Sequence, residues 1–288
     1  MVKIALIGDV HRQISSADVT AFNQSDYDLL LFVGDLANYR HREGLAAARI
    51  LAGLRKPALL IPGNHDGILA WQLLAEIKQS PFWIRLFSRG QARRVAQLRR
   101  ALGPVAVGGY SAHAYQFNGF AFDVIAARPF AMGGSSFSFA PYLQRAYGVA
   151  DLAASAARLR HCVDAAHSDT LIFLAHNGPT GLGAAADAIW GADFRRAAGD
   201  HGDADLAEAV AYAQARGRRV VAVVAGHMHW RTKQGAQRQW HALCDGIHYV
   251  NAARVPRIWQ ADGQTRRHHL RLTFGEGETA VTPIIWPL

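Results

Sequence analysis

Five short apolar segments, each followed at once by a polar turn, constrain the fold of this chain most strongly. They cover residues 3–7, 29–33, 58–61, 171–174 and 219–224. Continuous apolar runs of this length, separated by stretches with helical spacing, are typical of buried strands in an α/β protein. The sequence therefore predicts a sheet-centred α/β fold.

The stretches between these segments have apolar residues at helical spacing. We expect helices over residues 45–54, 68–77, 150–166 and 206–215, and a strand-rich C-terminal part over residues 249–285. Residues 108–141 are rich in Gly, Ser and aromatic residues, which favours a long functional or disordered connection. No repeat or linker interrupts the 288 residues, so we expect a single domain over residues 1–288.

Composition limits the class of protein. Half of the residues are hydrophobic, as in a soluble globular protein, and no apolar run reaches the roughly 18–20 residues of a membrane span. The N-terminal apolar segment is too short for a signal peptide, so we expect a cytoplasmic protein without a membrane partner. Two cysteines, Cys162 and Cys244, do not make a disulfide framework, and we interpret both as reduced core thiols.

The net charge of +9 comes almost entirely from arginine. It suits anionic partners such as phosphate esters or nucleic acid, although a coding bias towards Arg and Ala explains it equally well. Six arginines between residues 82 and 102 recur at helical spacing. A solvated helix face is the first interpretation of them, and an anion-binding face is the alternative.

Metal-ligating residue types follow each of the five apolar segments. In open α/β sheets, ligands gather beyond the carboxyl ends of the strands, so these residues are expected to converge. They are Asp9, His11, Asp35, Asn64, His176, His227 and His229. Mixed imidazole and carboxylate ligation suits Mn, Fe, Zn, Co or Ni. Seven ligands exceed the needs of one ion and fit two ions that share a carboxylate.

The order of these blocks resembles the calcineurin-like metallophosphoesterase superfamily. The blocks are Asp9-x-His11, Gly34-Asp35, Gly63-Asn64-His65-Asp66, His176 and Gly226-His227-x-His229. The resemblance implies a four-layer αββα sandwich of two mixed β-sheets flanked by helices. It also implies two divalent metal ions, with manganese the first expectation, and hydrolysis of phosphate esters by a bridging hydroxide.

The resemblance also assigns roles to individual residues. Asp9, His11, Asp35 and His229 would bind the first metal. Asp35, Asn64, His176 and His227 would bind the second, so that Asp35 bridges the two. His65 would stand beside the leaving-group oxygen and act as the general acid.

Three positions depart from the family pattern. Asn38 stands where many relatives have an Asp that orients the catalytic His; because an amide adds no charge, we expect His65 to be a weaker base, with Asp66 as a substitute partner. Arg12 replaces a usual Gly, and it either clamps a phosphate or points to solvent. After the last His pair, Arg254 and Arg257 are candidate substrate contacts.

Two other functions remain open at this point. A nuclease would use the basic charge, and a non-catalytic binding module would use the same fold. The natural substrate, the preference for monoesters or diesters, and the oligomeric state are not specified by the sequence. We interpret the remaining histidines as ordinary surface or packed imidazoles: His41, His113, His161, His167, His201, His241, His248, His268 and His269.

Overall fold

Two mixed β-sheets form the centre of the protein. The computed structural model describes residues 1–194, 199–277 and 279–287, and within these ranges one sheet has seven strands and the other six. The seven-stranded sheet contains β1 (Val2–Ile7), β2 (Leu29–Phe32), β3 (Ala58–Leu60), β4 (Ala106–Val107), β11 (Ile258–Ala261), β12 (Gln264–Phe274) and β13 (Ala280–Pro287). The six-stranded sheet contains β5 (Ser111–Phe117), β6 (Phe120–Ala126), β7 (Thr170–Leu174), β8 (Arg219–Ala225), β9 (His241–Cys244) and β10 (Ile247–Asn251).

Each sheet combines parallel and antiparallel strand pairs. In the first, β1 to β4 run parallel, and β12 pairs antiparallel with β1, β11 and β13. In the second, β6, β7, β8 and β10 run parallel, while β5 and β9 pair antiparallel at the two ends. The five apolar segments of the sequence are β1, β2, β3, β7 and β8, all of them parallel strands. The carboxyl ends of the parallel strands gather at one edge of each sheet.

Helices connect the strands. They are α1 (Ser16–Gln24), α2 (His41–Leu51), α3 (Ala70–Ile77), α4 (Pro81–Phe87), α5 (Gln91–Ala101), α6 (Ala140–Tyr147), α7 (Leu152–Asp164) and α8 (Ala204–Ala215). The four helices expected from the sequence correspond to α2, α3, α7 and α8, with ends displaced by up to four residues. Among the described residues, none of these helices has the length and apolarity needed to pass through a membrane.

Alternating side chains on the strands build the layers. Leu6 belongs to the same cluster of buried residues as Ile172 of β7, between the two sheets, and Val210 of α8 extends that cluster outwards. Ile7, its neighbour on β1, belongs instead to a cluster with Phe22 of α1. Because successive strand residues face opposite sides of a sheet, the order of layers is helix, sheet, sheet, helix. The four-layer αββα sandwich is confirmed.

Two local expectations were wrong. Residues 108–141 are not one long functional or disordered connection, because β5 and β6 form a hairpin there whose turn is Asn118-Gly119, with φ of 51° and 83°. Asn-Gly is a strong hairpin signal because both residues tolerate positive φ. Cys162 is buried as expected, but Cys244 is exposed.

The arginine-rich stretch spans two helices, and five of its six arginines are exposed, as a solvated helix face requires. Gly90, with φ of 79°, separates α4 from α5. Arg94 does not point to solvent: its Nε donates to the carbonyl of Gly67 at 3.0 Å and its Nη2 to Gln72 at 2.9 Å. This residue therefore fastens α5 to the chain that follows the third strand.

Candidate metal centre

The seven sequence-predicted ligands come together at the edge where the parallel strands of both sheets end. Asp9, His11, Asp35 and Asn64 follow β1, β2 and β3 of the seven-stranded sheet, whereas His176, His227 and His229 follow β7 and β8 of the six-stranded sheet. The site therefore lies across the junction of the two sheets. Its residues come from the polar turns that follow the five apolar segments.

The first group of ligands consists of Asp9, His11 and His229, whose ligand atoms all lie within 4.8 Å of one another. Nε2 of His229 lies 3.2 Å from Nε2 of His11 and 3.3 Å from Oδ2 of Asp9. Oδ2 of Asp9 is buried and has no hydrogen-bond partner among the described residues. A buried carboxylate oxygen without a partner fits a cation, because buried polar atoms are otherwise nearly always bonded.

The second group consists of Asp35, His176 and His227, with Asn64 beside them. The side-chain oxygen of Asn64 lies 2.7 Å from Nε2 of His176 and 3.0 Å from Nδ1 of His227. Nδ1 of His176 lies 2.6 Å from the carbonyl of Val33 and donates to it. In the neutral ring, Nε2 of His176 is then an acceptor, and it faces another acceptor, the side-chain oxygen of Asn64. A divalent ion bound by both atoms would make this contact favourable.

Asp35 lies between the two groups. Its Oδ1 is 3.5 Å from Nε2 of His176, and its Oδ2 is 3.9 Å from Nε2 of His11. Gly63 allows this approach, because a Cβ on that residue would lie 2.2 Å from Oδ1 of Asp35. One carboxylate thus faces both ligand groups, as a residue shared by two ions must.

The pKa shifts of Asp9, Asp35 and His227 favour ligation. Burial opposes ionisation of Asp9, but His229, His176 and His11 outweigh burial and lower the pKa of the carboxyl. Burial also opposes ionisation of Asp35, and nearby histidines, led by His176, lower its pKa. For His227, burial and the neighbouring His176 lower the pKa to about 3, so the ring is neutral near pH 7. Ionised carboxylates and a neutral imidazole are the states that bind metal.

Backbone strain is concentrated at the same residues. Asp9, His11, Asp35 and His227 have φ of 35°, 41°, 51° and 66°, all in the left-handed region that non-glycine residues seldom adopt. Each such residue costs on the order of 1–3 kcal/mol and persists only where the surroundings determine it. The sequence does not show this feature.

His65 lies at the rim of the ligand groups rather than within them. Its Nε2 is 3.9 Å from Oδ2 of Asp35, and its backbone N–H donates to Oδ1 of Asp35 at 2.8 Å. Its ring packs against Tyr39, with centroids 5.1 Å apart. Burial lowers the pKa of His65, and Asp35 opposes that shift. The imidazole therefore lies beside Asp35, the carboxylate that faces both ligand groups.

The expected partners of His65 are not bonded to it. Nδ1 of His65 is buried and has no hydrogen-bond partner within the described ranges, so Asn38 does not hold the ring. Asp66 was also wrong as a substitute, because its carboxylate accepts from the backbone N–H groups of Leu36 at 2.9 Å and Gly63 at 3.0 Å. Asp66 instead fixes the second and third ligand loops relative to each other.

Arg12 lies on the solvent side of the first loop. Its side chain is 60% exposed, and its Nη1 lies 3.5 Å from Oε1 of Glu43. Arg254 stacks on Trp259, with the guanidinium carbon 3.9 Å from the ring centroid. Neither arginine belongs to the described residues that line the cleft over the ligand groups.

Arg257 is a structural residue, and its expected contact with substrate was wrong. Its side chain is 2% exposed, and its Nη1 donates to Oδ1 of Asp18 at 3.0 Å and to the carbonyl of Gln13 at 2.6 Å. A guanidinium enclosed in this way is not free to bind an outside anion. It instead ties the C-terminal strands to the start of α1.

A cleft of about 750 Å³ covers the ligand groups. Tyr39, Leu73, Glu76, Phe194 and His201 also line it, although the sequence did not indicate them. Met132, Ser136 and Ser138 line it too, and they belong to residues 108–141, where a functional or disordered connection was expected. His201 had been interpreted as an ordinary imidazole, yet its ring lies nearly parallel to that of His227 with centroids 6.4 Å apart. No short motif marks these residues, because they come from the helices and loops around the strand ends.

The family of the chain follows from this arrangement together with a match to known proteins. The model of the calcineurin-like phosphoesterase family matches residues 2–231, and the chain belongs to that family. Among curated protein sequences, none is similar enough to count as a match.

The fold is also found in a solved structure. The protein TT1561 of Thermus thermophilus is 12% identical, with 93% of each chain covered and a TM-score of 0.51. A metallophosphoesterase from Sphaerobacter thermophilus is 12% identical, with 94% of this chain and 82% of the other covered and a TM-score of 0.32. At these identities the first likeness shows the fold alone.

Proposed function

We propose that this chain hydrolyses phosphate esters, either monoesters or diesters, with the help of two divalent metal ions. The observation that carries the proposal is the convergence of two ligand groups on Asp35, which faces His176 on one side and His11 on the other. Membership of the calcineurin-like phosphoesterase family supports the class of reaction.

The donor set suits two ions of borderline hardness. Imidazole nitrogens with carboxylate and amide oxygens favour manganese, iron, zinc, cobalt or nickel, and no thiolate takes part. Asp9, His11, Asp35 and His229 would hold one ion, and Asp35, Asn64, His176 and His227 the other. When bound, such a pair supplies a hydroxide nucleophile near neutral pH and neutralises the phosphate oxygens.

His65 is the proposed general acid. Its Nε2 faces Asp35 and the ligand groups, whereas its Nδ1 is buried. A bound phosphate brings negative charge to the rim of the site, and negative charge beside an imidazole favours the protonated form. Nε2 of His65 would then pass a proton to the leaving oxygen as the P–O bond breaks.

The experiment compares metal content with turnover on two synthetic esters. The full chain is stripped with a chelator and reloaded with Mn²⁺, and then with each alternative ion. Metal is measured by mass spectrometry, and hydrolysis of p-nitrophenyl phosphate and of its bis-ester is followed. About two ions per chain and turnover of at least one ester are expected, with both lost after renewed chelation.

The preference between the two esters separates phosphatase from phosphodiesterase. A chain that binds two ions but hydrolyses neither ester contradicts the proposal and favours a binding module on the same fold. Turnover that survives chelation would instead exclude the metal-dependent mechanism.

A further inference from the structure

An exposed apolar surface stands on the helices inserted between β3 and β4, beside the cleft. Seven of the twelve exposed large hydrophobic residues in the described part of the chain lie between residues 69 and 86. We call these seven the aromatic face: Leu69, Trp71, Leu74, Ile77, Phe82, Trp83 and Leu86. Scattered exposed apolar residues need no explanation, but a contiguous set marks an interaction surface.

The aromatic face is unusually open for helices of a globular protein. Trp71 is 66% exposed, Phe82 69% and Trp83 48%, and α4 contains no buried residue. Between α3 and α4 lies a groove of about 410 Å³, lined mainly by Trp71, Leu74, Trp83 and Phe87. The two helices pack against each other. Leu73 and Ala75 of α3 are buried, whereas the side chains of the aromatic face are exposed.

The charged residues that follow Glu76, over both α4 and α5, are all basic. No Asp or Glu occurs from residue 77 to residue 122, while Lys78 and six arginines lie between residues 78 and 100. Lys78, Arg85 and Arg89 are exposed on or directly after the two helices. A partner for this surface must therefore accept apolar side chains and carry negative charge.

These two properties together select among the classes of partner. A second copy of the chain, joined through the same face, would bring like charges of the two copies together. Single-stranded nucleic acid would stack on the aromatic rings but would leave the four aliphatic residues of the face without apolar contact. An anionic bilayer accepts both kinds of side chain, because Trp and Phe enter the headgroup region while Lys and Arg contact lipid phosphates.

We propose that the aromatic face docks the protein peripherally on an anionic lipid bilayer. Trp71, Phe82 and Trp83 would enter the headgroup region, and Arg85 and Arg89 would contact the lipid phosphates. This proposal replaces the sequence-based expectation that no membrane takes part, which rested only on the lack of a spanning segment.

Docking through this face would set the cleft beside the lipid surface. Ile77 belongs to the aromatic face and also lines the cleft, and Leu73 and Glu76 of the same helix line the cleft on the side of α3 that faces the ligand groups. The membrane would therefore lie next to the cleft without covering the ligand groups. The docking itself does not depend on the proposed hydrolysis.

The test is co-sedimentation of the full chain with vesicles of phosphatidylcholine alone and with phosphatidylglycerol added. The double variants Phe82→Ser/Trp83→Ser and Arg85→Glu/Arg89→Glu are compared with Leu243→Ser and Arg216→Glu, which change exposed side chains elsewhere. The wild type and the two control variants should sediment with the anionic vesicles. Both double variants should bind these vesicles at least about tenfold more weakly.

Several outcomes would overturn the proposal. The wild type could sediment no better with anionic than with zwitterionic vesicles. The control variants could lose as much binding as the double variants. A dimer that Phe82→Ser/Trp83→Ser converts to monomer, without any vesicle binding by the wild type, would assign the face to a second copy. Oligonucleotide binding in place of vesicle binding would assign it to nucleic acid. Circular dichroism and melting temperature verify that each variant is folded.

Discussion

Oδ2 of Asp9 lies 3.3 Å from Nε2 of His229, and the two residues belong to loops of different sheets. Asp9 follows β1 in the seven-stranded sheet, and His229 follows β8 in the six-stranded sheet. The carboxylate oxygen has no hydrogen-bond partner among the described residues. This pair therefore defines the first ligand group more clearly than either loop does alone.

Two aspartate variants should separate the ligand groups. Asp9→Asn should leave about one ion per chain, because only the first group loses its carboxylate. Asp35→Ala should lose both ions, because Asp35 faces both groups. Each loss should exceed the roughly 10–100-fold weakening that removal of a supporting hydrogen bond causes.

Metal content is measured by mass spectrometry after dialysis at a fixed free Mn²⁺ concentration. Asp245→Asn, in an exposed turn with φ of 51°, is the matched control and should keep two ions. Equal metal content in Asp35→Ala and Asp9→Asn would contradict a shared position for Asp35.

His65→Ala should keep both metals and lose turnover in proportion to the basicity of the leaving group. On an alkyl phosphate, kcat should fall about 10²–10⁴-fold, the usual contribution of a general acid. On p-nitrophenyl phosphate the loss should be smaller, because that leaving group needs little protonation. His167→Ala, whose side chain is 84% exposed, is the control. The same loss on both substrates would remove His65 from the role of general acid.

Glu76 should make the stability of the fold depend on pH. Its side chain is buried, its Oε1 has no hydrogen-bond partner in the described ranges, and burial raises its pKa from 4.5 to about 7. The folded state therefore holds a proton that the unfolded chain releases between these values. The contribution of Glu76 to the free energy of unfolding is fully present below about pH 4.5 and is lost as the pH rises through about 7.

The variant Glu76→Gln should remove this loss. At pH 8 it should be more stable than the wild type by about 2–3 kcal/mol, and the difference should vanish near pH 4.5. Urea unfolding at several pH values measures it, with the exposed Glu276→Gln as control. A difference between Glu76→Gln and the wild type that does not change with pH would mean that Glu76 is not the titrating group.

Arg12 should matter for stability and not for substrate binding. Its φ of 68° is left-handed, and its side chain pairs with Glu43 on the solvent side. Arg12→Gly and Arg12→Ala both remove the ion pair, but only glycine relieves the backbone. The glycine variant should therefore be more stable than the alanine variant by about 1 kcal/mol.

The KM for p-nitrophenyl phosphate should stay unchanged in both Arg12 variants. A tenfold rise of KM in both would show that Arg12 reaches the phosphate after all. Thermal unfolding and steady-state kinetics on the same preparations provide the two readouts.

The convergence of the candidate ligands was predictable because each of them follows a buried parallel strand. Such strands are continuous apolar runs, and their carboxyl ends meet at one edge. Asp9, Asp35 and His176 could therefore be predicted to lie near one another from the sequence alone. The β5–β6 hairpin was predictable too from Asn118-Gly119, although its Gly-rich and aromatic surroundings pointed to a loop.

Other features depend on contacts that spacing does not encode. The left-handed backbone at His11 and Arg12 turns successive side chains in different directions, so their positions in the sequence do not decide which one meets the site. The helical periodicity of α4 is the same whether its apolar side chains meet a core or solvent. The unpartnered Nδ1 of His65 depends on where loops from three strands meet.

The division of candidate ligands between two sheets has a consequence for how the protein unfolds. All carboxylate and amide ligands come from the seven-stranded sheet, and the six-stranded sheet offers only imidazoles. Ions bound here would link the two sheets at the edge of the sandwich where the ligand loops meet. Parting the sheets would require each ion to leave one of its two walls, so metal release and separation of the halves become a single event. Ions bound for the proposed hydrolysis would therefore also determine the rate at which the folded protein unfolds.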